Sequence, residues 1–271
     1  MNKTALYALM LALLLPLGAY FLVKKLSDSA LILPPRFYPD SVIKKEEKGK
    51  IITDTVWHRL PEISLTNQLG EKVSWNDMKK DSAGKIIVAN FFFTHCPTIC
   101  PSLTLNMKRL QDGLKKSQKV GDRTADYVQF LSFSIDPERD SVPELKKWAD
   151  RFQVNPINWW LLTGNKKEIY DLCINEMKLG LVDGNGVDTS FIHTDRFVLI
   201  DRDRIIRGYY KGLDSASVEK LSEDIVLLSL EKDKKNKSFF DGKLELIGIV
   251  YLLTLVGLGI FLTVLKKTRN K

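Results

Sequence analysis

Only three cysteines and three histidines occur among the 271 residues of this chain. Three cysteines are too few for the disulfide framework of a small secreted scaffold, and Cys173 is left over once Cys96 and Cys100 are taken as a pair. A thiol peroxidase is disfavoured as well, because that chemistry needs one cysteine poised with threonine and arginine partners and no such trio is evident.

The sequence also lacks a basic surface of the kind that binds nucleic acid. The formal net charge is +8, but the excess lies in clusters beside or outside the candidate core, at residues 24–25, 44–50, 232–237 and 266–271. No basic stripe interleaved with aromatic residues appears. We interpret the clusters as solvated linkers and membrane flanks, and we expect no nucleic-acid partner.

Two runs of twenty residues, 4–23 and 246–265, contain no charged side chain. Each is long enough to cross about 30 Å of hydrocarbon. We predict an N-terminal transmembrane anchor over residues 1–23 and a C-terminal transmembrane helix over residues 244–265. The first run is long for a cleaved secretory signal, and no small-x-small cleavage site closes it.

The short basic tail at residues 266–271 indicates that the C-terminus stays in the cytoplasm. If both runs span the membrane, the N-terminus shares that side, and the domain between them lies outside the cytoplasmic membrane. We place that domain at residues 57–230, joined to the spans by linkers at 24–56 and 231–243. A pair of thiols in it would work in an oxidising compartment.

The stretch Phe91–Pro101 carries the strongest chemical signal. It follows an apolar run, residues 85–93, that predicts a buried strand, and it leads into a helical pattern over residues 102–116. On a continuous helix the Cβ atoms of Cys96 and Cys100 would be roughly 5–6 Å apart, whereas a relaxed disulfide needs about 3.5–4.5 Å. The spacing therefore favours a shared metal ion over a disulfide.

The remaining pattern predicts an α/β domain. We expect a hairpin over residues 60–75, strands over 85–93, 127–135 and 159–162, helices over 102–116, 142–152 and 165–179, a second hairpin over 197–210 and a closing helix over 215–230. This order predicts a thioredoxin-like sandwich with insertions, flanked by the two transmembrane helices.

His193 is the histidine placed to reach the cysteines, because it precedes the hairpin that runs beside the motif strand in a thioredoxin-like sheet. Two thiolates and one imidazole suit copper in either oxidation state, although zinc accepts the same donors. We interpret His58 as a surface or satisfied core residue and Cys173 as a small buried apolar residue.

Three separated motifs resemble those of the SCO/SenC family: Phe93-Thr94-His95-Cys96-Pro97-Thr98-Ile99-Cys100-Pro101, Ser134-Ile135-Asp136-Pro137-Glu138-Arg139-Asp140 and Leu162-Thr163-Gly164. Members of that family are membrane-anchored, thioredoxin-like copper proteins that serve assembly of the dinuclear copper centre of cytochrome c oxidase. His193, four residues before Phe197, is similar in position to the family's histidine ligand. The resemblance covers about residues 56–230.

The resemblance implies Cys96, Cys100 and His193 as copper ligands, with Asp136 and Asp140 supporting the neighbouring loop. It implies Cu(I) or Cu(II) as the metal, and the copper-bearing oxidase subunit, other copper chaperones and the membrane as partners. His95, directly before the first cysteine, departs from the common pattern and can influence that thiol or offer a further ligand.

Two functions remain open from the sequence. The first is a metallochaperone that passes copper to the oxidase. The second is a membrane-bound thiol–disulfide oxidoreductase that uses Cys96 and Cys100 as a redox pair. His193 separates them, because a metal site uses the imidazole and a dithiol reductase does not need it.

Overall fold

A computed structural model of the protein describes residues 32–47, 50–78, 84–116, 127–182 and 194–231, together with isolated positions near both ends. Leu33–Glu231 form one compact unit, and Met1–Ile32 with Lys232–Lys271 form a second. The two predicted transmembrane segments and the predicted linker at 231–243 lie almost entirely outside the described residues. Among the residues that are described, no helix has both the length and the apolar character needed to cross a bilayer.

The compact unit is built from strands and helices that alternate along the chain. Its strands are β1 (Pro39–Glu47), β2 (Lys50–Trp57), β3 (Leu65–Asn67), β4 (Lys72–Val73), β5 (Ile86–Phe92), β6 (Val128–Ser134), β7 (Trp159–Thr163), β8 (Arg196–Ile200) and β9 (Ile206–Lys211). Its helices are α1 (Cys100–Lys116), α2 (Val142–Arg151), α3 (Lys166–Asp171), α4 (Leu179–Val182) and α5 (Ser215–Leu230), with a 3-10 turn at Trp75–Met78 and a π-helical turn at Leu172–Glu176.

In the part of the chain that the structure describes, seven strands form one mixed sheet in the order β4-β3-β7-β6-β5-β8-β9. β5, β6 and β7 run parallel, and every residue of β5 and β6 is buried, as is typical of parallel strands packed between helices. β8 and β9 extend one side of this centre antiparallel, and β3 and β4 extend the other. The α/β, thioredoxin-like arrangement predicted from the sequence is confirmed.

Three chain segments meet at one edge of the sheet. Phe92 at the end of β5 pairs with Ser134 at the end of β6, so the loops that follow the two strands start side by side. β8 runs antiparallel to β5, with Val198 opposite Ala89, and its first residues therefore lie at the same edge. Side chains from these three segments can reach one site.

The predicted linker at residues 24–56 contains more structure than its sequence indicated. β1 and β2 pair antiparallel as a separate two-stranded hairpin, and the aromatic rings of Phe37 and Tyr38 pack against the core of the domain. The Phe37 amide donates to the Ile206 carbonyl at 3.0 Å. The lysines and glutamates suggested a solvated tether, but the β-branched residues on either side of them favour strands.

The predicted helix over residues 165–179 is present but interrupted. Asn165 begins it, since its side chain accepts hydrogen bonds from the amides of Lys167 and Glu168. α3 then passes into the π-helical turn before α4 begins. Cys173 lies in that turn and is fully buried, consistent with its interpretation as a small core residue.

A buried arginine joins the two ends of the compact unit. Arg207 is 3% exposed; its guanidinium donates to Asp201 at 3.0 Å, to Glu231 at 2.7 Å and twice to the Pro34 carbonyl, at 2.9 and 2.7 Å. Asp201 follows Ile200, which pairs with Ile87 near the start of β5. The arginine therefore lies at the opposite edge of the sheet from the cysteine loop.

Candidate functional site

The two motif cysteines lie where the central strand passes into a helix, as the sequence predicts. β5 ends at Phe92, and α1 begins at Cys100. Cys96 lies in the connecting turn, where its amide donates to the Phe93 carbonyl at 3.3 Å. The two cysteines are therefore not on one continuous helix, and the Cβ separation that we took from helical spacing does not apply.

Both thiols are buried and neither is in a disulfide. Burial raises the pKa of the Cys96 thiol, but hydrogen bonds from the backbone amides of Cys100 and Thr98, with the side chains of the same residues, outweigh burial and lower that pKa below its ordinary value. The Thr98 hydroxyl lies 3.7 Å from the Cys96 sulfur. Of the two thiols, Cys96 is therefore the one that ionises more readily.

The pKa of the Cys100 thiol is shifted in the opposite direction. Burial raises its pKa to about 12, and the Cys96 side chain and the negative charge of Asp140 add to that increase. These surroundings favour ionisation of Cys96 before Cys100. Such a pair has one ready nucleophile or metal ligand, and the second thiol gives up its proton only when a cation or an electrophile arrives.

A buried carboxylate holds the loop that carries the cysteines. Asp140 is fully buried, and it accepts hydrogen bonds from the Thr94 amide at 3.1 Å, the Thr94 hydroxyl at 2.5 Å and the Ser134 hydroxyl at 2.6 Å. Asp136 instead pairs with Arg139 within its own loop. Of the two aspartates named by the resemblance, Asp140 is the one that contacts the cysteine loop.

The roles of Thr94 and Ser134 were not anticipated from the sequence. Each lies at or just after the carboxyl end of a parallel strand, and the two strands are neighbours. Polar side chains at such positions converge on one site in open α/β sheets, which is the signal that points to them. Together with Asp140 they tie the loop after β5 to the loop after β6.

His95 is 53% exposed at the side chain, in contrast to the buried cysteines beside it. Its Nδ1 lies 3.0 Å from the Thr94 hydroxyl oxygen and 3.8 Å from an Asp140 carboxylate oxygen. His58 is far from this loop in the chain and has a carboxylate at each ring nitrogen, Asp40 at 3.2 Å and Glu176 at 2.8 Å. This agrees with the interpretation of His58 as a satisfied residue.

His193 lies outside the described residues, but Asp195, two residues after it, is joined to α1 through Gly212, whose carbonyl accepts from Asn106 at 2.7 Å. Thr194 is buried, and the Asp195 carbonyl accepts a hydrogen bond from the Gly212 amide at 2.7 Å. A Cβ atom on Gly212 would come within 2.5 Å of the Leu103 side chain, so the fit is close. The Asp195 carboxylate lies 3.6 Å from Arg196. Within the described part of the chain, no three histidine, cysteine or acidic side chains are grouped to hold a metal ion.

The fold and the paired-cysteine loop can now be compared with known proteins. Residues 59–228 match the sequence model of the SCO1/SenC family. The chain belongs to that family. Its SCO1/SenC region is 31% identical to the SCO1 protein homolog of Bacillus subtilis over 178 residues, which cover 65% of this chain and 86% of the relative.

Two solved structures with TM-scores above 0.5 agree with this assignment. A SCO1/SenC family lipoprotein from Bacillus anthracis is 32% identical, with a TM-score of 0.53 over 64% of this chain and 95% of that one. BsSco, described as having a disulfide switch and as a member of the Sco family of cytochrome c oxidase assembly proteins, is 29% identical, with a TM-score of 0.53 over 65% and 96%. Bradyrhizobium japonicum ScoI has been solved with copper bound, at 24% identity and a TM-score of 0.47 over 62% and 98%.

Proposed function

We propose that this SCO1/SenC protein binds copper through Cys96, Cys100 and His193 and delivers it to the dinuclear copper site of cytochrome c oxidase. The observation that carries the proposal is the pair of buried, unbridged thiols on a loop held by Asp140. Soft sulfur donors suit Cu(I), and an added imidazole suits Cu(II). The occurrence of copper-bound Sco proteins in the same family supports the choice of metal.

His193 is proposed as the third ligand on two grounds. The family resemblance assigns a histidine at this position, and Asp195, two residues after it, bonds to Gly212, which contacts the helix that begins with Cys100. An imidazole on that segment would complete a donor set of two sulfurs and one nitrogen. Copper is cargo in this function, so the site must release it to the copper-bearing subunit of the oxidase by exchange of ligands.

A thiol–disulfide oxidoreductase is the second candidate, and the unequal thiols favour it. The Cys96 thiolate would attack a substrate disulfide, and the sulfur that leaves would take up a proton. Cys100 would then lose its proton and attack the Cys96 sulfur, which releases the reduced substrate and leaves an intramolecular disulfide. An external thiol would return the pair to its reduced form. The disulfide switch described for BsSco is consistent with such a cycle.

The location follows from the same proposal. We place the domain on the extracytoplasmic side of the cytoplasmic membrane, held there by the two uncharged runs, with both termini inside. Cysteine labelling with a membrane-impermeant reagent in intact cells should reach reporters placed in residues 57–230 and not reporters at either end. Labelling only after the cells are permeabilised would overturn this topology.

The test of function is oxidase assembly in a strain that carries a His193→Ala chain at limiting copper. Copper delivery predicts loss of assembly that excess copper partly restores. Normal assembly in that strain would contradict delivery through His193. Loss that is restored by an added thiol reductant, and not by copper, would favour the oxidoreductase.

A further inference from the structure

His95 is the exposed nitrogen donor on a loop whose sulfur donors are buried. Its side chain is 53% exposed, whereas Cys96 and Cys100 are 5% and 3% exposed. The imidazole is therefore more accessible than either sulfur to a metal ion that comes from solvent or from another protein. The established features of the site give this residue no task.

Hydrogen bonds around Thr94 determine which ring nitrogen of the neutral His95 carries the hydrogen. The Thr94 hydroxyl has one hydrogen, and it donates that hydrogen to Asp140 at 2.5 Å. The hydroxyl oxygen can therefore only accept from His95, whose Nδ1 is 3.0 Å away. Nδ1 carries the hydrogen, so in the neutral ring Nε2 has a free lone pair.

This arrangement is the one found behind histidines that bind metals. Such residues donate the hydrogen of one ring nitrogen to a carboxylate or another acceptor, which orients the ring and leaves the other nitrogen for the metal. Here Asp140 supports the ring through Thr94, and Ser134 fixes Asp140 in turn. Among the described residues, Nε2 of His95 has no hydrogen-bond partner. His58 has an acidic side chain at each ring nitrogen, so neither of its nitrogens is available to a metal ion.

We propose that His95 is a relay ligand, which holds copper transiently through Nε2 while the ion moves between an outside donor and the two cysteines. The proposal rests on the proposed copper function. One bond from the outside donor to copper breaks as the imidazole binds. The last bond to the outside donor breaks as the Cys96 thiolate binds, and the imidazole leaves as Cys100 releases its proton to water and binds. Copper keeps its oxidation state throughout.

The relay makes a prediction about rate that differs from its prediction about affinity. His95 is absent from the final ligand set, so its loss should leave the equilibrium affinity for Cu(I) within about threefold of the native value. Transfer should be slower by about tenfold or more, which corresponds to ~1.4 kcal/mol in the barrier. A ligand that stays on the metal would change both quantities together.

The experiment mixes the reduced, full-length, detergent-solubilised chain with Cu(I) bound to bicinchoninate and follows decay of the coloured complex by stopped flow. His95→Gln is compared with the native chain and with His58→Gln, a matched control. The expected result is slow copper transfer in His95→Gln alone, with the same amount of copper bound at equilibrium in all three proteins. Equal rates, or an affinity that falls as far as the rate, would overturn the relay.

One further measurement separates a relay from an effect on the neighbouring thiol. The rate at which iodoacetamide alkylates Cys96 in the metal-free chain should be the same in His95→Gln and native protein. If alkylation slows as much as copper transfer does, His95 acts on the thiolate and the relay is wrong. If the native chain takes no copper from bicinchoninate at any concentration, the proposed copper function is wrong, and the relay is wrong with it.

Discussion

Asp140 offers the sharpest test of how the site is held together. Its carboxylate is fully buried and accepts three hydrogen bonds, two from Thr94 and one from Ser134. A hydrogen bond to a charged group contributes about 1.5–3 kcal/mol, so the three together contribute roughly 4–9 kcal/mol. Burying an ion costs several kcal/mol, which offsets part of this contribution. We therefore expect Asp140→Ala to lower the free energy of unfolding by about 2–4 kcal/mol.

Two companion variants make the measurement specific. Asp140→Asn keeps the shape and one acceptor oxygen, and the hydroxyl that faces its NH2 group can rotate to accept from it, so we expect a smaller loss of about 1–2 kcal/mol. Asp150→Ala removes an exposed carboxylate paired with Lys146 and should cost under about 1 kcal/mol. Equilibrium urea unfolding of Leu33–Glu231 supplies all three values.

The order of the three variants decides the outcome. If Asp140→Ala is no more destabilising than Asp150→Ala, the buried carboxylate does not hold the cysteine loop. A second readout is independent of stability. The charge of Asp140 contributes to the raised pKa of Cys100, so Asp140→Asn should lower that pKa and speed alkylation of Cys100 at alkaline pH. No change in that rate would contradict the electrostatic coupling.

Three further predictions concern the thiols, the far edge of the sheet and the third ligand. In the reduced, metal-free chain, Cys96 should be alkylated at a pH below that at which an ordinary thiol reacts, because its pKa is lowered. Cys100 should be alkylated only near pH 12, because its pKa is raised. Peptide mapping that finds Cys100 modified first would contradict this prediction. Arg207→Ala should lower the free energy of unfolding by about 3–5 kcal/mol, because it leaves buried acceptors unpaired. Arg59→Ala, which removes a pair with an exposed partner, should lower it by under about 1 kcal/mol. Equal losses in urea unfolding would refute this difference. His193→Ala should weaken Cu(II) binding by about tenfold or more and leave most Cu(I) affinity, and an equal loss for both ions in competition titrations would count against the ligand assignment.

The sequence was sufficient to locate the cysteine loop. The short uncharged apolar run before the motif is typical of a buried strand, and helical spacing begins directly after the second cysteine. The order of the following elements also predicted the central sheet correctly. These features are local in the chain, and the local pattern determines them.

Contacts between residues that are distant in the chain could not be derived from the local sequence pattern. The family resemblance implied that Asp140 supports the neighbouring loop, but Thr94 and Asp140 are 46 positions apart, and their contact is seen only once β5 is paired with β6. The unequal pKa values of the two thiols arise from burial and from amides whose directions the sequence does not reveal. The hairpin of β1 and β2 was missed because charged residues at its turn resemble a tether.

The central claim is that Cys96 and Cys100 bind copper together. The most direct measurement is a Cu(I) titration of the reduced full-length chain, with the metal-to-protein ratio and the sulfur-to-copper charge-transfer absorbance read at each point. We predict about one tightly bound copper per chain, lost in Cys96→Ser and in Cys100→Ser and kept in Cys173→Ala. Tight binding that survives in either serine variant, or that disappears in Cys173→Ala, would contradict the account.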